Sequence, residues 1–430
     1  MIFAPICGYY GDRYNRKFII EIGLIVWMLA VLLSTLCGPK HFYLFLLCRG
    51  IVGIGEASYV TVAPTIIADM YVGNRRSSAL MRRGFELVSN FSGLGYVTGS
   101  AFSLWTETWQ WGVRLTPIFG IICFLLLFFI VEEPVRGEAE HINPTPSSFL
   151  EDIKYLLTVP TYIITTLGLT SVVFVLGCLG WWSPALLQYA WAVHHGTSYI
   201  SDGVKAEVGL VFGIVTCLGG FFGVFCGSML SQIWRSGFGN ISKNIHADLH
   251  VCALGSLFAV PFLYFGLILS SKSMILCWIF TFFAVTGCCV NSAVNIDILM
   301  SVISVQRRAI ATAIQTLISH LFGDAFSPYL IGLISDALRG EFAKFYLVLL
   351  LVFGIRHERS TLAHFIALQR SLFVPNFVLC FGTLLYLISS FYIDRDRRNA
   401  DKLLHDEQFI IENDSDTSPL IDGVERPLTI

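Results

Sequence analysis

Ten long runs of apolar residues dominate this sequence and limit the folds that it can adopt. Each run holds about 20 residues with few charges, which is the length that an α-helix needs to cross the hydrocarbon core of a bilayer. The runs lie at roughly 18–37, 42–70, 85–104, 115–131, 161–182, 207–234, 249–270, 274–297, 309–334 and 372–393. Backbone groups in lipid must bond to one another, which runs of this length achieve as helices. The sequence therefore predicts an all-α polytopic membrane protein.

The composition and the scattered cysteines exclude several functional classes. Only 13% of the residues are charged, against about 25% in an average soluble domain. The formal net charge of −2 gives no general attraction to nucleic acid, so we expect no nucleic-acid partner. The 12 cysteines are scattered through apolar runs without a CxxC pair, and the 10 histidines form no HxxH-type set. We therefore expect no metal, no cofactor and no enzymatic activity.

The positions of the basic residues predict how the spans are oriented. Lysine and arginine are enriched in the cytosolic loops of membrane proteins. When the loop with Arg13 is placed in the cytosol and the spans alternate, nearly all the other basic loops fall on the same side. These are 75–83, the stretch after Glu132, 235–243, 307–308 and 395–398. The C-terminal tail is then cytosolic, and Trp105, Trp109 and Trp111 fit an aromatic belt on the other side.

Polar segments divide the chain into four parts. Residues 1–131 form a first helical half, and 132–160, the longest polar break between spans, form a cytosolic linker. Residues 161–393 form a second helical half, and 394–430 form a polar cytosolic tail that we expect to be disordered. The apolar segment 342–355 is too short for an untilted span. We interpret it, with the region near 341–362, as a lumenal insert or a re-entrant piece.

A glycine-rich, charged loop joins the first two apolar segments. It reads Gly8-Tyr-Tyr-Gly-Asp-Arg-Tyr-Asn-Arg-Lys. Glycines allow a close approach of helices, and Asp12 can cap the next element and pair with an arginine, which makes a charge latch between helices. The pattern resembles the signature loop of major facilitator transporters, G-x-x-x-D-R-x-x-R-K, with Arg13, Arg16 and Lys17 in the basic positions. The alternative is an ordinary basic loop without a special role.

Two charged residues lie inside the second full run. Ionisable residues within a membrane are costly and indicate a functional site by default. Arg49 and Glu56 are seven residues apart, so they share one helix face about 10 Å apart along the axis. We expect both to face a cavity, where Arg49 can hold an anionic head group and Glu56 can take and release protons. The alternative is a structural ion pair with other helices.

A histidine and an aspartate lie within the ninth run. His320 and Asp324 are four residues apart, so an α-helix makes them neighbours. Because histidine titrates near physiological pH, the pair can relay protons or act as a gate. A buried, hydrogen-bonded contact between helices is the alternative.

Several segments resemble the Spinster family of major facilitator transporters. The matching stretches are 49–59, 63–67, 92–96 and 319–336, and shorter matches run from residue 4 to about 398. Spinster-like proteins are proton-linked or facilitative carriers of lysolipids, either lysophospholipids or sphingosine-1-phosphate. The resemblance therefore implies a major facilitator fold, alternating access, and lysolipid and protons as the partners in the bilayer. It also implies that Arg49 and Glu56 are cavity residues and that Asp12 and Arg13 are gating residues.

Comparison with the twelve spans of that family leads us to expect that this chain lacks the first helix and most of the second. Residues 341–362 also look inserted relative to the family. A splice variant or partial gene model that does not transport is therefore one alternative. A carrier of another small solute, such as a sugar, is a second alternative.

The C-terminal tail contains a candidate sorting signal. Asp416, Leu420 and Ile421 match the acidic dileucine form [DE]xxxL[LI]. Such a signal works when it is cytosolic and unstructured, because a sorting adaptor binds it as an extended peptide. The pattern is short and chance matches occur. Together with the lysosomal members of the family, it predicts residence in late endosomes or lysosomes, with the plasma membrane as the alternative.

Overall fold

The computed structural model describes residues 3–38, 40–70, 92–131, 133, 148–197, 199–237, 243–353 and 359–403. Within these residues it consists of helices joined by short turns, without a β-strand. The first half contains α1 (Ala4–Gly11), α2 (Arg16–Leu36), α3 (Phe42–Met70), α4 (Ser92–Thr106) and α5 (Trp109–Ile130). A short helix, α6 (Phe149–Leu157), precedes the second half.

The second half is longer and contains several bent helices. Its elements are α7 (Pro160–His194), α8 (Asp202–Ser236), α9 (Ala247–Leu269), α10 (Met274–Cys289), α11 (Asn291–Val302), α12 (Arg308–Ser319), a π-helical segment (His320–Ala325), α13 (Phe326–Phe353), α14 (Arg359–Ser371), α15 (Val374–Ser389) and α16 (393–403). The π segment, named so below, joins α12 to α13 without a break in the helix.

Nine helical segments of the described chain are long and apolar enough to cross a membrane. Each of them overlaps one of the runs predicted from the sequence. The remaining run, 85–104, is described only from Ser92. There α4 begins, and it continues for 15 residues to Thr106. The three tryptophans of the expected aromatic belt are exposed at the end of α4 and the start of α5.

Glycines let the helices of each half pack closely. Gly23 of α2 faces Gly55 of α3, and a methyl group added at Gly55 would lie 2.5 Å from the Gly23 carbonyl oxygen. In the second half, a methyl group added at Gly255 of α9 would lie 2.9 Å from the carbonyl oxygen of Gly287 in α10. Such close approach gives the van der Waals packing that holds helices together in lipid, where the hydrophobic effect does not drive their association.

The two halves meet along α1, α3 and α4 of the first and α8 and α12 of the second. Gly8 of α1 packs on α12, where an added methyl group would lie 2.6 Å from the Cβ of Ala313 and 2.9 Å from the carbonyl oxygen of Ala309. Ala4, Ala57 and Ala313 are buried together at the same contact. Small residues therefore line the seam between the halves.

Two helix boundaries and one helix type differ from the sequence prediction. The ninth span does not end near 334, because its helix continues through the apolar segment 342–353 to Phe353. Residues 342–353 therefore continue α13. The predicted disordered tail begins with helix α16, which runs to residue 403. His320 and Asp324 lie on a π-helical turn and not on a regular α-helix.

Candidate functional site

The glycine-rich loop lies at the end of the bundle where α1 ends and α2 begins. We call this end, with the loops at 12–15, 243–246 and 303–307, the basic end. Asn15, and not Asp12, caps α2, since its Oδ1 accepts a hydrogen bond of 2.8 Å from the Phe18 backbone N–H. Asp12 Oδ2 instead accepts a hydrogen bond of 3.2 Å from the Ile310 N–H in the first turn of α12. The expectation that Asp12 caps the next element is therefore wrong, because the carboxylate reaches a helix of the other half.

Arg13 contacts both its own helix, α1, and the linker helix α6. Its guanidinium lies over the Tyr9 ring at 3.6 Å and donates to the Tyr9 carbonyl oxygen at 3.1 Å. Its Nη2 lies 4.0 Å from Oδ2 of Asp152 on α6. Asp12 and Arg13 together thus connect the first half to α12 and α6.

Arg16 and Lys17 bind within the first half. The backbone N–H and the Nε of Arg16 donate to Glu133 Oε1 at 3.0 and 3.3 Å, just beyond the end of α5. Lys17 Nζ donates to the Phe128 carbonyl oxygen at 2.8 Å. The loop motif therefore has two parts: Asp12 and Arg13 cross the seam, whereas Arg16 and Lys17 fasten α2 to α5.

Glu56 is an electrostatic neighbour of the His320–Asp324 pair. His320 Nδ1 and Asp324 Oδ2 are 2.8 Å apart in the π segment. The half-buried Glu56 of α3 is close enough to interact electrostatically with both of them. The structure thus brings together three residues that were predicted from separate motifs, one from the first half and two from the second.

The π segment is held in a notch of α7. A methyl group added at Gly177 would overlap Cα of Asp324 and lie 2.7 Å from its Cβ. On the other side, one added at Gly323 would lie 2.8 Å from Val173 Cγ1. Single π turns inside α-helices are rare, and those that do occur are frequently at functional sites. Gly177 therefore leaves the space in which Asp324 packs against α7.

Arg49 lies seven residues before Glu56 in α3 and is exposed. Its guanidinium is 5.2 Å from the Phe45 ring centroid. The seven-residue spacing places it on the same side of α3 as Glu56. The residues of the sorting pattern, Asp416, Leu420 and Ile421, lie outside the described residues.

A buried polar network links four helices of the second half. Gln315 Nε2 donates to Thr166 Oγ1 at 3.1 Å, and its Oε1 accepts from Asn295 Nδ2 at 3.0 Å. The Tyr386 hydroxyl donates to Asn295 Oδ1 at 3.4 Å. The network joins α7, α11, α12 and α15. The sequence analysis missed it, although uncharged polar residues inside apolar runs were a readable signal.

A second set of charges fastens α16 to the second half at the basic end. Asp248 at the start of α9 is buried and accepts from Arg397 Nη2 at 2.9 Å, with Arg235 Nη1 at 3.5 Å. Asp396 is also buried and caps α7, since its Oδ2 accepts from the Thr161 N–H at 2.9 Å. These contacts connect α7, α8, α9 and α16.

Comparisons with known proteins agree with this architecture. The family model for the Major Facilitator Superfamily matches residues 1–328. The human protein spinster homolog 1 is 40% identical over 408 residues, which cover 93% of this chain and 73% of that protein. The sphingosine-1-phosphate transporter SPNS2 of Xenopus tropicalis is 36% identical over 419 residues, or 97% of this chain and 77% of that protein.

Solved structures show the same fold. A bacterial homologue of the human lysosomal transporter Spinster, in an inward-facing and occupied conformation, superposes with a TM-score of 0.63 at 20% identity. The match covers 92% of this chain and 87% of that one. The E. coli fucose:proton symporter gives a TM-score of 0.56 at 13% identity, over 90% of this chain and 87% of that one. From the family model and the curated relatives, this chain belongs to the Spinster family of the major facilitator superfamily.

Proposed function

We propose that this membrane transporter carries lysolipids by alternating access and couples their movement to protons. The observation that carries the proposal is that Glu56 of the first half interacts electrostatically with the hydrogen-bonded His320–Asp324 pair of the second half. Ionisable residues within membrane helices are costly and indicate a functional site by default. A proton shared among groups from both halves can respond to their relative movement, which is what coupling requires.

Arg49 supplies the expected contact for the substrate head group. It is exposed and lies on the Glu56 side of α3, about 10 Å away along the helix axis. An arginine guanidinium matches the geometry of phosphate oxygens and forms paired hydrogen bonds with them. A lysophospholipid or sphingosine-1-phosphate would place its phosphate at Arg49 and its acyl chain along apolar helix surfaces.

The relatives support this solute class, as do these residues. One relative is named for sphingosine-1-phosphate transport, and others are spinster homologs. A sugar carrier is the second candidate, because the fold is shared with a fucose:proton symporter. A lysolipid carrier needs an apolar surface for the acyl chain and a contact for the anionic head group. These two needs distinguish the first candidate from the second, the sugar carrier.

Ligand-dependent stability separates the two candidates. The purified chain in lipid nanodiscs is heated with lysophosphatidylcholine, sphingosine-1-phosphate or fucose, because a ligand that binds only the folded state raises the unfolding temperature. We expect a concentration-dependent rise with a lysolipid and none with fucose. A rise with fucose and none with any lysolipid would assign the chain to sugar transport.

Asp12 and Arg13 are proposed to hold the basic end closed in one state of the cycle. Asp12 accepts from the N–H of Ile310, and negative charge is stabilised at a helix N-terminus. Opening this end must break that contact, so its geometry supports a role in gating. Gly8 contributes by allowing α1 to approach α12 at the same contact.

We also propose that the chain resides in late endosomes or lysosomes, where sorting adaptors deliver it through the tail pattern at Asp416. The support is the sequence pattern and the similarity to a bacterial homologue of human Spinster, which is described as a lysosomal transporter. Replacing both Leu420 and Ile421 with alanine in a tagged chain should move it to the cell surface. Retention of the double variant in lysosomes would show that another segment carries the signal.

A further inference from the structure

The helix between the halves, α6, presents one face to the bundle at the basic end. It begins with a capping box in which Glu151 N–H donates to Ser148 Oγ at 3.4 Å and Ser148 N–H donates to Glu151 Oε2 at 3.2 Å. Asp152 and Leu156 are buried, whereas Lys154 is exposed. The helix is thus amphipathic, and its inner face has the three- and four-residue spacing of a packed helix.

That inner face contacts both halves of the protein. The Phe149 ring meets the Tyr9 ring of α1 edge-on, with centroids 5.6 Å apart. Six residues later, the Tyr155 ring lies under the guanidinium of Arg307, 4.6 Å from its Cζ, just before α12. One end of α6 therefore packs on the first half and the other end packs on the second half.

Asp152 lies between these two contacts and faces an arginine from each half. Its Oδ1 accepts a hydrogen bond of 2.9 Å from Arg307 Nε, and its Oδ2 is 4.0 Å from Arg13 Nη2. The residue is only 1% exposed. A buried carboxylate is very costly without compensating charge. Here the compensation comes from two guanidinium groups that belong to bodies expected to move apart.

We propose that Asp152 is a positioning residue of the transport cycle, a shared counter-ion through which α6 clamps the two halves together at the basic end. Opening of that end requires the clamp to release, because Asp152 cannot stay paired with both arginines when the halves separate. The inference rests on the proposed function only in its use of alternating access. It does not depend on which solute is carried.

Hydrogen exchange measured by mass spectrometry on the chain in nanodiscs tests the clamp without any substrate. The Ile310 amide donates to Asp12 across the seam, so its peptide reports whether the basic end is closed. We expect Asp152→Asn to speed exchange in peptides covering 8–15 and 305–315 by about tenfold or more, since removing one partner of a buried charge pair is strongly destabilising. Lys154→Gln, an exposed change on the same helix, should leave both peptides unchanged.

One further variant and a set of control peptides separate a clamp from a general folding defect. Asp152→Glu keeps the charge and should exchange much more slowly than Asp152→Asn at both sites. Peptides covering 291–302, which lie inside the second half, should keep their protection in all variants. Equal loss of protection in every peptide for Asp152→Asn and Asp152→Glu would reduce Asp152 to a folding role and overturn the proposal. Unchanged exchange in Asp152→Asn would overturn it as well.

Exchanging the charges of Asp152 and Arg307 tests whether Asp152 pairs with arginines from both halves. The double variant Asp152→Arg with Arg307→Asp restores a pair between α6 and the second half but places an arginine opposite Arg13. We expect fast exchange to persist in the double variant and to be reduced when Arg13→Asp is added. Full recovery in the double variant alone would show that Asp152 anchors α6 to one half only, and the clamp would be refuted.

Discussion

Glu56 comes from one motif of the sequence, His320 and Asp324 come from another, and the three residues interact electrostatically between the halves. Only the His320–Asp324 pair is in direct hydrogen-bond contact, at 2.8 Å. Glu56 interacts with the pair through space, so a change in its charge is felt by both partners. This arrangement makes Glu56 the residue whose replacement should affect coupling while preserving the shape of the site.

Glu56→Gln tests the coupling role. Glutamine keeps the shape of glutamate but cannot titrate, so we expect lysolipid uptake into proteoliposomes to lose its stimulation by a pH gradient. Glu107→Gln is the matched control, because Glu107 is exposed in the turn before α5. A Glu56→Gln variant that keeps the parent pH profile would move proton coupling to His320 and Asp324.

Arg49→Ala tests the head-group role. Loss of the guanidinium removes the charge opposite a phosphate, and we expect half-saturation to require about tenfold more lysolipid, because a charged pair contributes on the order of 1.5–3 kcal/mol. Arg49→Lys keeps the charge but loses the paired hydrogen bonds, so its half-saturation should fall between those of the parent and Arg49→Ala. Parent-like uptake by Arg49→Ala would remove Arg49 from the site.

Sequence patterns predicted these residues unevenly. The contact between His320 and Asp324 follows from local spacing, which the sequence contains. The partner of Asp12 does not, because Ile310 is 298 residues away and is brought close only by packing of α1 on α12. Asp152 was missed for the same reason: nothing local to the linker indicates that Arg13 and Arg307 will surround it.

Helix α7 positions the π segment through one glycine. Gly177 gives Asp324 room that a methyl group would fill, whereas three residues later Gly180 has no neighbour within 4 Å of an added Cβ. The two glycines lie on the same helix, and they differ in what an alanine would meet. They therefore make a matched pair for asking whether the π segment is needed.

Gly177→Ala should destabilise the protein by about 1–3 kcal/mol and displace the π segment, because overpacking forces backbone to shift. Gly180→Ala should cost nothing or stabilise slightly, since alanine favours a helix by about 1 kcal/mol over glycine. Thermal unfolding in nanodiscs measures the stability, and lysolipid uptake measures the effect on transport. Equal behaviour of the two variants would contradict the notch at Gly177.

The spans were predictable because apolar length is a local property. Nine described segments overlap nine of the predicted runs. The π turn at 320–325 was not predictable, since its extra residue is accommodated by contacts with Gly177 and Val173 of another helix. The extension of α13 to Phe353 was also missed, because an apolar run too short to span a membrane does not reveal that it continues the preceding helix.

The two halves together make a testable topology. We expect the basic end to face the cytosol, since basic loops prefer that side. A cysteine at Asn399, which is exposed on α16, should react with an impermeant thiol reagent after the plasma membrane alone is permeabilised. A cysteine at Tyr199, exposed at the other end, should react only after organelle membranes are dissolved. Labelling of each cysteine variant is measured above that of the parent chain. If the cysteine at Tyr199 reacts first and the one at Asn399 only later, the basic end faces away from the cytosol.

The flux of labelled lysolipid across proteoliposomes, measured with and without a pH gradient, tests the proposed function most directly. The measurement compares a lysophospholipid, sphingosine-1-phosphate and fucose in vesicles with and without the purified chain. We predict saturable, protein-dependent movement of at least one lysolipid, faster with the gradient, and none of fucose. Lysolipid movement no faster than in protein-free vesicles, in a chain that is folded and correctly inserted, would contradict the account.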